Sequence, residues 1–215
     1  LPLAMDDPYK GYLNDYADAN WLTDDIITAL NAGVLMVNYS GHGSTQTWAG
    51  PTIFEVADVA LLTNIDMWPF FVSMSCESGF FAYPENWLLP SFAEALLRSE
   101  AGALAVLMPT GMTTTEGQRI LNSALYQQIF GEDIRTLGPA IAAAKQTLLA
   151  NGEHYEEVSD TFLLFGDPAT ELKVPLPRMP KELSAKRTEE GVRIRWQAAK
   201  DSNGNPVAGY NVYRA

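Results

Sequence analysis

Two residues in this chain have side chains suited to nucleophilic catalysis, Cys76 and His42. Cys76 is the single cysteine among 215 residues and ends the apolar run 69–75. His42 ends a second apolar run, 34–40, and lies between two glycines. The thiolate is the reactive form of cysteine, and a neighbouring imidazole helps to create it. If the two runs form neighbouring parallel strands, the thiol and the imidazole meet at one edge of a sheet.

Each of these residues alone has a simpler interpretation. A free cysteine is most often a small buried core residue, and a histidine in a turn commonly bonds to backbone. Their positions favour chemistry instead. Cys76 precedes Gly79, which forms loops, and the glycines beside His42 let the backbone approach a ligand and expose amide N–H groups.

The elements that would position this pair can be read from the apolar periodicity. Buried strands are predicted over three runs, 34–40, 69–75 and 102–108. Helices are predicted near 21–31, 55–62, 87–98, 113–130 and 138–150, with Thr23 as the N-cap of the first and a polar loop at 44–51. Strands that are apolar throughout and separated by helices are typical of an α/β fold, whose mostly parallel sheet is covered on both faces. Chemistry in such sheets gathers beyond the carboxyl ends of the strands, where His42 and Cys76 fall.

The composition changes near residue 175. Pro175, Pro177 and Pro180 form a stiff linker, and strands with alternating polarity follow at 191–196 and 209–214, around a turn at 201–206. We therefore expect two domains, 1–175 and 176–215. The second resembles part of an all-β sandwich of the Ig-like kind, too short to be complete.

Charge and hydropathy exclude several classes of protein. The net charge of −12 argues against a nucleic-acid partner, because nucleic acids select basic surfaces. No apolar run is long enough for a membrane span. The start of the chain has neither a signal peptide nor an initiator methionine, so we expect a piece of a longer protein.

The two loops carry a family resemblance. Asn38-Tyr39-Ser40-Gly41-His42-Gly43-Ser44 and Ser73-Met74-Ser75-Cys76-Glu77-Ser78-Gly79 together resemble the gingipain-type cysteine peptidases of the caspase-like clan. The intervening segment 56–62 resembles that family's connecting helix, and Gly166-Asp167-Pro168 its late Gly-Asp-Pro turn. The pattern around Trp196 and 210–213 is similar to fibronectin type III. A β-sandwich after the peptidase domain also resembles the arrangement in the family.

The resemblance implies a role for each site residue. Cys76 is expected to be the nucleophile and His42 its base, with the N–H groups of Gly43 and Cys76 as the oxyanion hole. The family's catalytic domain normally extends further upstream, where the acidic partner of the histidine and the acidic floor of the specificity pocket lie. No residue here matches either of them. The expected enzyme is a cysteine-type peptidase (a hydrolase) that acts on proteins or peptides and is secreted or exposed at the cell surface.

Other functions remain open. A sortase-like transpeptidase of a secretion system would use the same acyl-enzyme, and a catalytically silent adhesion module would keep only the fold. No cofactor or metal is required, although the aspartates within 6–25 could hold a structural calcium ion. The C-terminal strands are expected to contact missing sequence or another chain. Trp48, Trp68 and Trp87 flank the motif loops as cleft walls or, more simply, as core residues.

Overall fold

The computed structural model describes residues 19–82, 90–173, 181–188, 191–200, 204 and 206–207. The chain divides into two compact units, Leu1–Leu172 and Lys173–Ala215. The division lies close to the boundary expected near residue 175, and the kind of domain that the second unit belongs to stays a prediction.

The first unit is built of strands and helices that alternate along the chain. Its strands are β1 (Met36–Ser40), β2 (Thr47–Trp48), β3 (Phe54–Glu55), β4 (Phe70–Met74), β5 (Ala105–Pro109) and β6 (Phe162–Phe165). Its α-helices are α1 (Ala19–Asn31), α2 (Phe92–Arg98), α3 (Thr115–Tyr126), α4 (Leu137–Ala150) and α5 (Glu156–Thr161). Short 3-10 helices span Val56–Leu61 and Glu153–Tyr155, and a π-helical turn, Gln127–Gly131, continues α3.

The main sheet has the strand order β1-β4-β5-β6. β1 pairs parallel with β4, and β4 pairs parallel with β5. β6 is antiparallel to β5, from Val106 opposite Phe165 to Pro109 opposite Phe162. The expected α/β class with a mostly parallel sheet flanked by helices is therefore confirmed, while the antiparallel edge strand was not predicted.

Two further details differ from the sequence predictions. Part of the predicted loop at 44–51 forms β2, which pairs antiparallel with β3. Thr23 is not an N-cap, because α1 already begins at Ala19 and the Thr23 hydroxyl donates to the carbonyl oxygens of Ile53 at 2.8 Å and Ala19 at 3.2 Å. A threonine inside a helix commonly bonds back to the carbonyl four residues earlier.

Burial differs between the strands that carry the site. Every residue of β4 and β5 is buried, as predicted for strands covered on both faces. β1 is only partly buried, since it is an edge strand among the described residues. Its polar Asn38 donates from Nδ2 to Asn122 Oδ1 on α3, at 2.8 Å.

The main core cluster lies between the sheet and the helices that precede β5. The Trp48 indole packs at its centre, with Phe92 edge-on at 5.0 Å between ring centroids and Phe54 tilted at 5.6 Å. Strands β4 and β5 contribute Phe71, Val106 and Met108. α2 enters this core from Ser91, whose hydroxyl accepts a hydrogen bond from Glu94 N–H as an N-cap. The start predicted for this helix, near residue 87, lies in a stretch that is not described.

The second unit contains an antiparallel hairpin of β7 (Lys181–Thr188) and β8 (Gly191–Gln197). β8 matches the predicted strand 191–196, and its partner β7 was not predicted. A bridge between Lys200 and Pro206 and a positive φ of 85° at Gly204 agree with the predicted turn at 201–206. The predicted strand 209–214 lies outside the described residues, so the sandwich stays a prediction.

Candidate active site

The register between β1 and β4 determines where His42 and Cys76 lie. Ser40, at the end of β1, is opposite Met74, at the end of β4. His42 and Cys76 therefore each follow the same register pair by two residues, on loops at one edge of the sheet. His42 is exposed and Cys76 is half-buried, so both can be reached from solvent.

The histidine loop is held by an aromatic stack beneath it. The Tyr39 ring lies on the Trp48 indole, with 4.4 Å between centroids and 12° between planes. The Tyr39 hydroxyl donates to the His42 carbonyl oxygen at 2.6 Å, and Ala49 N–H donates to the same oxygen at 2.8 Å. These bonds fix the backbone at His42 and leave its imidazole outside the core.

The cysteine lies in a tight turn whose backbone is bonded to the loop after β5. Glu77 has a φ of 56°, a left-handed conformation that residues other than glycine adopt only where the surroundings require it. Glu77 N–H donates to the Gly111 carbonyl at 3.0 Å, and Gly79 N–H donates to the Pro109 carbonyl at 2.8 Å. The Cys76 Sγ lies 3.8 Å from the Thr113 carbonyl oxygen.

The histidine and cysteine loops are in direct contact. Gly41 N–H donates to the Met74 carbonyl at 3.1 Å. A Cβ added to Gly43 would lie 2.7 Å from Ser75 Cβ and 3.3 Å from the Cys76 carbonyl oxygen, so only glycine fits at this approach. Among the described residues, the N–H groups of Gly43 and Cys76 donate to no other group. Both are thus available to a ligand.

Sequence reasoning missed the polar side chains that surround this turn. The buried Gln118 of α3 donates from Nε2 to the Ser75 carbonyl oxygen at 2.7 Å, and the Thr113 hydroxyl donates to the same oxygen at 2.8 Å. The hydroxyls of Ser73, Ser75 and Ser78 form a fully buried chain, with separations of 2.7 and 3.0 Å. The only signal in the sequence was a glutamine on the otherwise apolar face of a predicted helix.

A pocket of about 260 Å³ lies beside His42. Its walls come from the start of α1, the histidine loop and the loop before β3; they include Leu22, Tyr39, Ala49, Pro51 and Ile53. The lining is mostly apolar and suits an aliphatic or aromatic side chain next to the imidazole.

Of the three tryptophans that flank the motif loops, the two described ones differ in their surroundings, and neither lines the pocket beside His42. Trp48 is a core residue with only 2% of its surface exposed, whereas Trp68 is half-exposed and donates from Nε1 to the Glu100 carbonyl at 2.9 Å. Trp87 lies outside the described residues. Asp167 is a turn residue, as expected, because its Oδ1 accepts from Ala169 N–H at 2.8 Å.

No cluster of three or more His, Cys, Asp or Glu side chains that could hold a metal occurs in the described part of the chain. The aspartates at 6, 7, 15 and 18 lie outside it, so the possible calcium site stays a prediction. No helix among the described residues is long and apolar enough to cross a membrane.

Comparison with known families identifies the family of the chain. A family model described as peptidase family C25 matches residues 5–173, which is most of the chain. The chain belongs to peptidase family C25. The resemblance to gingipain-type peptidases is thereby confirmed, and C25 membership agrees with the expected enzyme class. Nothing in these comparisons supports or tests the likeness to fibronectin type III.

Several gingipains of Porphyromonas gingivalis are similar in sequence to this chain. Gingipain R2 of strain ATCC 33277 is 31% identical over 166 residues, which cover 71% of this chain and 22% of that protein. Lys-gingipain of the same strain is 33% identical over 98 residues, covering 45% of this chain and 5% of that protein. The chain thus spans only a fraction of the length of the relatives it matches.

Solved structures agree in fold. The crystal structure of the Arg specific cysteine proteinase gingipain R superposes with a TM-score of 0.61 and 29% identity, over 77% of this chain and 39% of that one. A structure described only as a protease reaches the same TM-score at 20% identity, and supports the fold alone.

Proposed function

We propose that the chain carries the catalytic groups of a cysteine endopeptidase, with Cys76 as nucleophile and His42 as general base and acid. The observation that carries this proposal is the strand register, in which both residues follow the Ser40–Met74 pair on adjacent loops. Membership of peptidase family C25 supports the same chemistry.

In the proposed reaction, His42 takes the proton of the Cys76 thiol, and the thiolate attacks the carbonyl carbon of the scissile peptide bond. A carbon–sulfur bond forms while the carbonyl electrons move onto oxygen. The N–H groups of Gly43 and Cys76 donate to this oxyanion, since they have no other acceptor among the described residues.

The intermediate then collapses by breaking the carbon–nitrogen bond. The leaving amine takes the proton held by the His42 imidazolium, and the acyl group remains on Cys76 as a thioester. A water molecule, deprotonated by His42, attacks the thioester and releases the carboxylic acid product. The sulfur leaves as thiolate and regains its proton, so the enzyme is restored.

Proteins or peptides are the proposed substrates. The names of two relatives refer to arginine and lysine, so basic residues before the scissile bond belong in any substrate panel. The pocket beside His42 is mostly apolar and would accept an uncharged side chain next to the imidazole. We also propose a secreted or cell-surface location and a sandwich-like second domain, as the family resemblance implies.

The central test is to replace Cys76 by Ala. Activity is measured as hydrolysis of a panel of peptidyl aminomethylcoumarin amides that differ in the residue before the scissile bond. Hydrolysis by Cys76→Ala should fall to background because the covalent route is lost. Stability should change by about 1 kcal/mol, as for a small side-chain truncation. His42→Ala should reduce hydrolysis comparably, whereas His154→Ala, which removes the other histidine at an exposed site, should not.

Three results would contradict the proposal. Hydrolysis by a folded Cys76→Ala protein would exclude Cys76 as the nucleophile. Formation of an amide product with added glycinamide in place of hydrolysis would show a transpeptidase. A wild-type protein that turns over no member of the panel would favour a silent surface module.

A further inference from the structure

The peptide bond between Ser75 and Cys76 receives two side-chain hydrogen bonds at one atom. The Ser75 carbonyl oxygen accepts from Gln118 Nε2 at 2.7 Å and from the Thr113 hydroxyl at 2.8 Å. Gln118 Nε2 also lies 2.6 Å from Thr113 Oγ1, so its two amide hydrogens serve both acceptors. A carbonyl oxygen can only accept, which requires the nitrogen of the Gln118 amide to face it.

Gln118 and Thr113 come from an element that is not part of either motif loop. Thr113 lies just before α3, and Gln118 is in the first turn of that helix. The N-cap of α3 is Thr114, whose hydroxyl accepts from Gly117 N–H at 3.3 Å. Thr113 is therefore not needed as a cap, and its hydroxyl is available to the cysteine turn.

The Ser75 carbonyl and the Cys76 N–H belong to one planar peptide unit. In a trans peptide they point in opposite directions, so fixing the oxygen also fixes the direction of the N–H. Hydrogen bonds to the carbonyl also polarise the amide and make its N–H a stronger donor. The Thr113 hydroxyl alone would satisfy the hydrogen-bonding requirement of this carbonyl. The second donor comes from Gln118, a side chain only 7% exposed. The requirement of the carbonyl therefore does not by itself explain the second hydrogen bond.

We propose that Gln118, together with Thr113, is a positioning residue that aims and polarises the Cys76 N–H as an oxyanion-hole donor. This inference rests on the proposed peptidase function. Gln118 acts through the Ser75–Cys76 peptide and touches neither the thiol nor the substrate carbonyl. Its contribution therefore appears when negative charge develops on the substrate oxygen, and not when the thiol reacts without forming an oxyanion.

The test is Gln118→Met, which keeps the side-chain length and removes the donor. With the fastest peptide amide of the panel, kcat should fall about tenfold to a hundredfold, as for a displaced or weakened oxyanion donor. KM should change much less. The aldehyde of the same peptide, whose thiol adduct carries the oxyanion, should lose affinity in parallel with kcat. Alkylation of Cys76 by iodoacetamide, which forms no oxyanion, should keep its wild-type rate.

Three further variants separate the effect of the hydrogen bonds from an effect on folding. Thr113→Val should weaken kcat and aldehyde binding in the same way, and Thr113→Ser, which keeps the hydroxyl, should restore both. Arg119→Gln, at an exposed neighbouring position of α3, should leave all four measurements unchanged. If Gln118→Met does not fold, the comparison of Thr113→Val with Thr113→Ser still tests the positioning role.

Each outcome bears on one of the two proposals. An unchanged kcat in Gln118→Met and Thr113→Val overturns the positioning role while Cys76 remains essential. Equal losses in alkylation and in kcat also overturn it, because they indicate a structural effect on the thiol. Hydrolysis that persists in Cys76→Ala overturns the peptidase proposal itself, whatever the Gln118 variants do.

Discussion

At the scale of single residues, Gly43 determines how closely the two motif loops approach. An added methyl would lie 2.7 Å from Ser75 Cβ and 2.9 Å from Ser75 Oγ. Ser75 has no room to yield, because it is fully buried and bonded to Ser73 and Ser78. A side chain at position 43 must therefore separate the His42 loop from the Cys76 turn.

Gly43→Ala is accordingly expected to lower kcat on the order of a hundredfold, by displacing groups that must be aligned. Stability should fall by about 1–3 kcal/mol, as for overpacking of a buried contact. Steady-state kinetics and thermal unfolding measure the two effects. Ala142→Ser is the control, since Ala142 is exposed on α4 and lies on neither motif loop. Equal kcat values in the two variants would show that the close approach is not needed.

Tyr39 offers a second residue-scale prediction. Tyr39→Phe keeps the stack on Trp48 and removes the hydroxyl that donates to the His42 carbonyl. That carbonyl still accepts from Ala49 N–H, so the loss of stability should be about 1 kcal/mol or less. We expect kcat to fall by a smaller factor than in Gly43→Ala, because the His42 backbone is held less firmly. A wild-type kcat would show that the Ala49 bond alone positions the loop.

At the scale of elements, helix α4 is tied to the antiparallel edge strand through a partly buried charge. Lys145 on α4 donates from Nζ to the carbonyl oxygen of Phe162, the first residue of β6, at 2.6 Å. Burial lowers the pKa of Lys145 below its ordinary value of 10.5, and the nearby Asp160 opposes this shift only in part. The folded chain therefore holds the Lys145 proton less tightly than the unfolded chain does.

This lowered pKa has a defined effect on stability at alkaline pH. Between the pKa of Lys145 in the folded protein and its value in the unfolded chain, the unfolded state binds more protons, so the Lys145 contribution to stability rises with pH. Relative to Lys145→Met, the wild type should gain stability as the pH rises towards the pKa of lysine in the unfolded chain, about 10.4. Urea midpoints of both proteins at several pH values measure the difference. A difference that stays constant or falls with pH would contradict the lowered pKa.

At the scale of the whole molecule, the residues of the proposed site all lie in the first unit. His42, Cys76, Thr113 and Gln118 precede the division between Leu172 and Lys173. The hairpin of the second unit exposes apolar side chains, with Leu183 69% and Val192 65% exposed. Such surfaces are typical of strands that another strand or chain covers, and the incomplete sandwich stays a prediction.

A chain that ends at Lys173 should therefore keep the site. We expect its Cys76 to react with iodoacetamide within about twofold of the rate in the longer chain, since reactivity follows the local surroundings of the thiol. It should also show a cooperative thermal transition of its own, as a compact unit does. Loss of that transition, or a much altered alkylation rate, would show that residues after Lys173 support the first unit.

The sequence by itself determined the α/β class, the strands that carry His42 and Cys76, and the turns that follow them. These are local features, because apolar runs of strand length end at polar or glycine-rich segments. Such patterns can be recognised without knowing the tertiary contacts. The two strands before the motif loops were predicted to within two residues at each end, as 34–40 against Met36–Ser40 and 69–75 against Phe70–Met74. Loops that follow the carboxyl ends of neighbouring parallel strands must also lie at the same edge of the sheet.

Only the tertiary structure decided what surrounds those loops. Thr113 and Gln118 reach the Ser75 carbonyl from 38 and 43 residues further along the chain, and no local pattern specifies a contact at that separation. The same holds for Trp48, whose neighbour Phe92 comes from a distant helix, and for β6, whose short apolar run becomes a strand by pairing with β5. Such contacts depend on how helices and strands pack against one another, so they are properties of the folded chain.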